Sequence, residues 1–307
     1  MIICAEHYGF DNKSIMTKVA IVTGSNKGIG LSTVRALCKE FDGDVFLTSR
    51  NTDRGHAAVK LLEDEGLQVK YHQLDIEDKE SIQQLHDFIM AQYGGIDVLV
   101  NNAGMAFKIF DSTPLGEQAE VTMNVNYFGT LNVCNILMPI IRAGGRVVNL
   151  SSKLALMNLP KCSFEMQTIF CSDTVEIDDL SKLMVKYIEH AKKGDHLQEG
   201  FSNSAYGMSK IAVVVLSRIY ARKLKEDGKH DILVNACSPG LVRTDMTAPN
   251  FMGKMLMWLI GAKTPDKGAE TPVYLATLPP GTTEPSGEFV RDKSVCKWCT
   301  TPTETSL

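Results

Sequence analysis

The sequence lacks a membrane-spanning run, a recognisable secretion signal and any concentration of basic residues. Its most apolar late stretch, residues 251–262, contains a lysine and is far shorter than the roughly 20 apolar residues that cross a bilayer. The start, residues 1–15, has too short an apolar run and no basic region for a signal peptide. The net charge is −4 and no basic stripe is present, so we expect no nucleic-acid partner and no membrane span.

Cysteines are too sparse for a disulfide framework, since eight are scattered over 307 residues. We therefore expect reduced thiols and a cytoplasmic location. Cys296 and Cys299 form a C-x-x-C pair, but no second pair or nearby histidine completes a zinc site, so no metal is expected. None of the seven histidines is placed like a catalytic or metal-binding residue.

A glycine-rich turn, TGSNKGIG at residues 23–30, joins the first predicted strand to the first predicted helix. Because Gly24, Gly28 and Gly30 carry no Cβ, backbone N–H groups and the positive helix end can approach a pyrophosphate. The spacing is Gly-x-x-x-Gly-x-Gly, so this mechanism, not the commonest fingerprint, favours dinucleotide binding. An ordinary strand-to-helix turn is the alternative interpretation.

Strand and helix patterns alternate along most of the chain. Strands are predicted at 18–23, 44–49, 69–74, 96–100, 146–152 and 231–237, and helices from 28 and at 53–65, 81–93, 117–141 and from 206. This order predicts a single α/β domain with a doubly wound parallel sheet, a Rossmann fold. The alternation breaks at 153–203, which we interpret as a helical insertion with a helix at 178–192. The predicted divisions are an N-terminal extension (1–16), one domain (17–293) with a lid region (241–267), and a C-terminal tail (294–307).

The end of the second strand indicates which dinucleotide fits. An NAD-selective site usually places a carboxylate there, whereas this chain has Arg50, with Arg54 one turn further on. Lys27, in the glycine turn, adds a positive charge on the same side. Since arginine binds phosphate with two parallel hydrogen bonds, these residues favour the 2′-phosphate of NADP(H) over NAD. Solvated surface arginines are the alternative.

The pentapeptide YGMSK, residues 206–210, supplies a candidate proton donor. Reduction of a carbonyl needs a hydride and a proton, and a tyrosine with a depressed pKa, here Tyr206, can donate the proton. Lys210 lies one helical turn further on, where its ammonium can stabilise tyrosinate and reach the nicotinamide ribose. Ser152, at the carboxyl end of a parallel strand, can hydrogen-bond the carbonyl oxygen. Ser151 is an alternative for that contact.

Motifs along the chain occur in the order seen in short-chain dehydrogenases/reductases. They are TGSNKGIG at 23–30, NNAG at 101–104, NVNYFGT at 124–130, VVNLSS at 147–152, YGMSK at 206–210 and SPGLVRTDM at 238–246. Within that family the chain most resembles the cytosolic NADPH-dependent carbonyl reductases, over about residues 17–293. The resemblance includes the long separation of Ser152 from Tyr206, which in those enzymes is associated with a monomer.

The resemblance also implies roles for individual residues. Asn126 would complete a catalytic tetrad with Ser152, Tyr206 and Lys210, holding a water that links Lys210 to solvent; a purely structural hydrogen bond is the alternative. The implied cofactor contacts are Gly24, Asn26, Lys27, Gly28, Ile29, Gly30, Arg50, Arg54, Asp75, Ile76, Asn102, Ala103, Gly104, Tyr206, Lys210, Pro239, Gly240, Val242, Arg243 and Thr244. The implied substrate contacts are Ser152 and, at positions that contact glutathione conjugates in carbonyl reductases, Phe107, Lys108 and Gln118.

The expected activity is NADPH-dependent reduction of small-molecule carbonyl compounds to alcohols. The apolar stretch 251–262 would form a lid that admits quinones, aromatic ketones and aldehydes, or lipid carbonyls; packing on the outside or on a membrane surface is the alternative. Prostaglandin or glutathione-conjugated carbonyls would also suit the cleft. Two other functions are weighed against this one: a narrower prostaglandin or hydroxysteroid dehydrogenase, and a catalytically idle NADPH-binding protein.

Overall fold

The computed structural model describes residues 17–108, 111–244 and 261–299. The extension at 1–16 and the apolar stretch at 251–262, apart from its last two residues, lie outside them. Within these ranges, no helix combines the length and apolar character needed to cross a bilayer.

A single eight-stranded sheet forms the centre of the protein, with strand order β3-β2-β1-β4-β5-β6-β7-β8. The strands are β1 Val19–Val22, β2 Asp44–Ser49, β3 Lys70–Gln73, β4 Ile96–Asn101, β5 Ile141–Leu150, β6 Leu233–Ser238, β7 Phe289–Arg291 and β8 Ser294–Cys296. All neighbours are parallel except β7 and β8, which pair antiparallel at the edge. The strand order reverses at β1 and β4, and the predicted doubly wound parallel sheet is confirmed.

Helices cover both faces of the sheet. They are α1 Gly28–Glu40, α2 Thr52–Asp64, α3 Lys79–Gln92, α4 Leu115–Met123, α5 Thr130–Leu137, α6 Lys153–Asn158, α7 Phe164–Cys171, α8 Ile177–Lys193, α9 Ala205–Glu226 and α10 Pro265–Ala276. Apolar side chains of α1, α2 and α10 share one buried cluster with strand residues, and those of α3, α4, α5 and α9 share the other. The sheet therefore has the two apolar faces that its near-continuous apolar strands require.

The predicted single helix at 117–141 is wrong. α4 continues as a π-helical segment, Asn124–Gly129, before α5 begins, and a short 3₁₀ turn, Met138–Ile140, ends the series. Pro139 lies at the start of that turn, where its missing N–H and fixed φ prevent continuation of an α-helix. β5 consequently begins at Ile141, five residues before the predicted strand.

The insertion 153–203 is helical and belongs to the same domain. α6 buries Ala155, α7 buries Phe170, and α8 buries Leu180, Met184 and Tyr187 in the cluster that also contains α9. α8 ends at Lys193 and is capped by Gly194, whose φ of 81° is the left-handed conformation that glycine adopts most easily after a helix. The predicted helix at 178–192 thus corresponds to α8.

The expectation that all thiols are reduced is wrong for one pair. Cys171, the last residue of α7, forms a disulfide with Cys299, 128 residues further along the chain. The spacing of the cysteines along the sequence does not predict this pairing, because the pairing requires β8 to bring Cys299 back to the insertion. Cys296 is a free thiol, and among the described residues no group of three or more His, Cys, Asp or Glu could hold a metal.

Candidate active site

The glycine turn lies against the residues that follow β4. The side-chain amide of Asn102 donates to the carbonyl oxygens of Thr23, at 2.9 Å, and Gly24, at 3.0 Å. Gly24 has a φ of +59°, and a Cβ there would lie 2.8 Å from the Cα of Ala103. A Cβ on Gly30 would lie 2.4 Å from the Asn102 amide nitrogen. Glycine is therefore required at both positions for the turn to pack against the β4 loop.

The N-terminus of α1 is suited to an anion. Lys27 precedes the helix in an extended conformation and does not cap it with its side chain, and the first turn contains no acidic residue. The usual Ser, Thr, Asp or Asn at the cap position, which would accept from the first backbone N–H groups, is therefore absent. A pyrophosphate would satisfy these donors and interact favourably with the helix dipole, so the turn fits the dinucleotide that the sequence indicated.

Residues after β2 and β3 line the same edge of the sheet. Arg50 and Arg54 are exposed, and Asn51 caps α2 by accepting a 2.9 Å hydrogen bond from the Arg54 N–H. The Asp75 carboxylate accepts from the Glu77 N–H at 3.1 Å, and Ile76 is buried. The two arginines are thus accessible to a phosphate, whereas the Asp75 carboxylate accepts a hydrogen bond within the turn that follows β3.

The loop after β6 returns to the glycine turn. Val242 is buried and pairs with Lys263, while the Arg243 N–H donates to the Lys263 carbonyl at 2.9 Å. The methyl carbon of Thr244 is 3.5 Å from where a Cβ of Gly28 would lie. The structure therefore brings Thr244, at the end of this loop, beside Gly28 in the glycine turn. Most of the predicted lid, residues 245–260, is outside the described residues.

The candidate catalytic side chains meet at the carboxyl end of β5. Ser204 caps α9 by accepting from the Gly207 N–H at 3.0 Å, which starts the helix just before Tyr206. Lys210 places its Nζ 5.6 Å from the centroid of the Tyr206 ring and donates to the Leu150 carbonyl at 2.7 Å. One turn of helix thus aligns the tyrosine and the lysine, as the spacing predicted.

Ser151 and Ser152 have different partners. The Ser151 hydroxyl is buried and donates to the Lys210 carbonyl at 2.8 Å. The Ser152 side chain lies close enough to the Tyr206 hydroxyl to lower its pKa, and it also caps α6 by accepting from the Leu154 N–H at 3.2 Å. Of the two serines that the sequence left open, Ser152 is therefore the one that contacts the tyrosine.

Burial shifts the pKa values of Tyr206 and Lys210 in opposite directions. Removal from water raises the pKa of Tyr206 to about 12, although its hydrogen bond with Ser152 opposes the shift. Burial lowers the pKa of Lys210 to about 8, and the nearby Cys237 opposes that shift. The expected depression of the tyrosine pKa is not present in the protein alone, because desolvation of the phenolate outweighs the lowering effect of Ser152. Tyr206 is consequently protonated at neutral pH, which suits a proton donor.

Asn126 lies in the π-helical segment and is almost completely buried. Its side-chain oxygen accepts from the Met105 N–H at 2.8 Å, and its amide donates to the Met105 carbonyl at 2.9 Å and to the Ser209 hydroxyl at 3.0 Å. A Cβ on Gly104 would lie 3.0 Å from that oxygen and 3.5 Å from the Lys210 Nζ. Asn126 therefore holds the β4 loop beside Lys210.

Replacement of Asn126 by alanine should lower the free energy of unfolding by about 2–4 kcal/mol, because it leaves the Met105 N–H and carbonyl without partners in a buried site. Urea denaturation monitored by circular dichroism measures this change. Asn135→Ala is a matched control, since its amide oxygen accepts a single hydrogen bond, from Tyr220. Equal losses for the two variants would contradict the structural role of Asn126.

Besides Ser152, three residues were expected to contact the substrate: Phe107, Lys108 and Gln118. The Gln118 amide donates to the Thr113 carbonyl at 2.8 Å, so part of its hydrogen-bonding capacity is already used. Phe107 is half-buried, and Lys108 is exposed, with its backbone carbonyl accepting from the Asp111 N–H. The geometry gives these side chains no shared contact.

Two supporting hydroxyls were missed by the sequence reasoning. Thr23 accepts from the N–H groups of Asn102, at 3.1 Å, and Ala103, at 3.0 Å, so it fixes the β4 loop beside the glycine turn. Ser238 accepts from the Lys153 N–H at 3.0 Å and thereby holds the start of the insertion at β6. Both are small polar residues at or just after the end of a buried parallel strand, which is the signal that could have identified them.

Comparison with known proteins identifies the family of this chain. The family model described as short chain dehydrogenase matches residues 18–164 and 194–254. The chain is 56% identical to Carbonyl reductase [NADPH] 1 of Rattus norvegicus and 54% identical to that of Homo sapiens, in each case over 91% of this chain and 98% of the relative.

Solved structures agree with the fold. Salutaridine reductase from Papaver somniferum superposes with a TM-score of 0.75 at 28% identity, covering 90% of this chain and 99% of that one. Menthone neomenthol reductase from Mentha piperita gives a TM-score of 0.72 at 27% identity with the same coverage. The chain belongs to the short-chain dehydrogenase/reductase family.

Proposed function

We propose that this protein reduces carbonyl compounds to alcohols with NADPH. Relatives named as NADPH carbonyl reductases, more than half identical across nearly the whole chain, support this activity. The observation that carries it is the meeting of Ser152, Tyr206 and Lys210 at the end of β5, on the same edge of the sheet as the glycine turn. The protein is an oxidoreductase that uses NADP(H).

When bound, NADPH supplies a hydride to the carbonyl carbon of the substrate. Ser152 donates a hydrogen bond to the carbonyl oxygen and polarises it, while Tyr206 gives its proton to the same oxygen as it becomes an alkoxide. A phenol with a pKa of about 12 is still far more acidic than an alcohol, so this transfer is downhill. Oxidation of an alcohol would instead start from tyrosinate, the form of Tyr206 that burial disfavours.

Lys210 stabilises the negative charge that develops on Tyr206 after proton transfer. Its ammonium has three N–H groups, and one of them donates to the Leu150 carbonyl. The others are left for the nicotinamide ribose and for a water beside Asn126 through which the proton is replaced. Asn126 positions this route through its contacts with Met105 and Ser209.

The remaining assignments follow the layout of the sheet edge. The N-terminus of α1 and residues 24–30 bind the pyrophosphate, Asp75, Ile76 and Asn102–Gly104 border the adenosine half, and 239–244 border the nicotinamide half. Arg50, Arg54 and Lys27 bind the 2′-phosphate. Their exposure and positive charge at this edge support the choice of NADPH.

The substrate class comprises quinones, aromatic ketones and aldehydes, with glutathione-conjugated carbonyls as a further group that Phe107, Lys108 and Gln118 would contact. We infer a cytoplasmic location from the resemblance to cytosolic carbonyl reductases. We infer a monomer because the helical insertion packs on α9. An idle NADPH-binding protein would have no need for the contact between Ser152 and Tyr206.

NADPH consumption with menadione and with an aromatic ketone, together with identification of the alcohol, tests the proposal; binding without turnover would refute it. Sedimentation measures the oligomeric state.

Activity should decline in alkaline solution. Since burial lowers the pKa of Lys210 to about 8, the lysine is charged below that pH and loses its charge above it, whereas Tyr206 keeps its proton. We expect kcat/KM for a non-ionisable ketone to be level near neutral pH and to fall about tenfold per pH unit above about 8. In Lys210→Arg, which remains charged, kcat/KM should be lower but the alkaline decline should move to higher pH. A decline at the same pH in both proteins would contradict the assignment.

A further inference from the structure

The disulfide between Cys171 and Cys299 lies away from the active site, near the carboxyl-terminal half of α9. It joins the end of α7, in the insertion, to the residues that follow β8. Both cysteines are half-buried, whereas Cys134 and Cys237 are enclosed in the core. Disulfides that keep solvent access are the ones most readily attacked by thiols.

Arg218 on α9 contacts one sulfur of this disulfide. Its Nη1 lies 3.9 Å from the Cys299 Sγ, and the same guanidinium donates to the Cys171 carbonyl at 3.2 Å and to the Asp173 carboxylate at 2.6 Å. These contacts fix the guanidinium beside the disulfide. A positive charge next to sulfur stabilises a thiolate, so Cys299 is the better leaving group of the two.

Two open clefts beside Arg218 lie next to the disulfide. One, of about 530 Å³, is bordered by Ser172 and Asp173, directly after Cys171. The other, of about 510 Å³, is bordered by Cys299 itself, and Arg218, Gly287 and Glu288 line both. Each volume is large enough to admit a small thiol, next to Cys171 in the first cleft and at Cys299 in the second.

Trp298 provides a reporter beside the disulfide. Its indole is buried, and the indole N–H donates to the Phe170 carbonyl at 3.2 Å. The centroids of the Trp298 and Phe289 rings are 6.1 Å apart. α7 contains both Phe170, whose carbonyl accepts from Trp298, and Cys171, whose sulfur is bonded to Cys299. The hydrogen bond and the disulfide therefore hold Trp298 and Cys299 against the same helix. Loss of the disulfide weakens this docking and exposes the indole.

We propose that Cys171–Cys299 is a reversible thiol–disulfide exchange site that clasps the chain after β8 to the insertion. A low-molecular-weight thiolate attacks the Cys171 sulfur, forming a mixed disulfide there, and the bond between Cys171 and Cys299 breaks with its electron pair leaving on Cys299. A second thiolate then attacks the mixed disulfide, which leaves two reduced cysteines and one oxidised small disulfide. Residues 297–299 are released when the bond is broken and dock again when a small disulfide reverses the sequence.

The test uses the full chain, oxidised with a small disulfide, in a Trp258→Phe background so that Trp298 is the single tryptophan. Under native conditions, 2-mercaptoethanol should release two additional thiols per chain and shift the Trp298 emission to longer wavelength, with the same rate constant for both. Quenching part-way with iodoacetamide and mapping by mass spectrometry should locate the mercaptoethanol adduct on Cys171 and the alkyl group on Cys299. Thiol release only after denaturation, or an adduct on Cys299 instead, would overturn the proposal.

Variants separate the charge of Arg218 from its packing. Arg218→Gln should slow exchange about tenfold, and Arg218→Lys should restore most of the rate, because each tests the positive charge beside Cys299. Loosened packing alone would speed exchange, so a faster Arg218→Gln variant would refute the role of the charge. Cys171→Ser should abolish the fluorescence response to thiol, and Cys296→Ser, at the free cysteine nearby, should leave it unchanged. A response that depends on Cys296 would contradict the assignment.

Discussion

Replacement of Tyr206 by phenylalanine should lower kcat for carbonyl reduction by about a thousandfold, within the range that positioned proton donors contribute. The substitution removes only the hydroxyl that hydrogen-bonds with Ser152 and that gives the proton to the developing alkoxide. The ring remains beside Lys210, so the dissociation constant for NADPH should change by less than about threefold. Steady-state NADPH oxidation with menadione measures kcat, and fluorescence titration measures NADPH binding.

Tyr220→Phe is the matched control. Tyr220 lies on the same helix, α9, is buried, and uses its hydroxyl to donate to the Asn135 side chain at 2.8 Å. Loss of that hydrogen bond costs stability of about 1 kcal/mol but leaves the chemistry intact, so kcat should match the wild type. Equal kcat values in wild type and Tyr206→Phe would remove Tyr206 from the mechanism.

The combined substitution of Arg50 and Arg54 by serine should raise KM for NADPH about a hundredfold. Each guanidinium would otherwise make charge-assisted hydrogen bonds to the 2′-phosphate, and loss of about 1.4 kcal/mol per arginine corresponds to this factor. NADH has no 2′-phosphate, so kcat/KM for NADH should change by less than about threefold. Initial rates with each cofactor at saturating menadione measure the difference.

Lys60→Ser controls for the general loss of positive charge on α2. Lys60 lies on the same helix as Arg54, is exposed, and pairs with Asp64 at 3.8 Å. We expect no change in the ratio of NADPH to NADH efficiency for this variant. An equal loss for NADPH and NADH in the double arginine variant would mean that the arginines support the loop after β2 and do not recognise the phosphate.

Local patterns were sufficient to predict much of the fold and the site. The apolar strands, the glycine turn and the alternation of strand and helix predicted the parallel sheet, because each depends on neighbouring residues. Tyr206 and Lys210 were predicted to face the same way because four residues make about one helical turn. Arg50 followed from the rule that ligands bind at the carboxyl ends of parallel strands.

Features that depend on distant parts of the chain could not be predicted in this way. The apolar periodicity from 117 to 141 continues across α4, the π-helical segment and α5, so it conceals the change of helix type. The pKa of Tyr206 depends on how far the assembled site excludes water, which the pentapeptide does not encode. The disulfide requires β8 to pair with β7 before Cys299 reaches Cys171.

The most direct test of hydride transfer to a carbonyl uses NADPH deuterated at both C4 positions of the nicotinamide. The wild-type protein and an aromatic ketone are mixed with this cofactor, and the product is analysed by mass spectrometry and NMR. The proposed function predicts one alcohol formed per NADPH consumed, with a single deuterium on the carbinol carbon. Cofactor binding without alcohol, or an alcohol with no deuterium on that carbon, would contradict it.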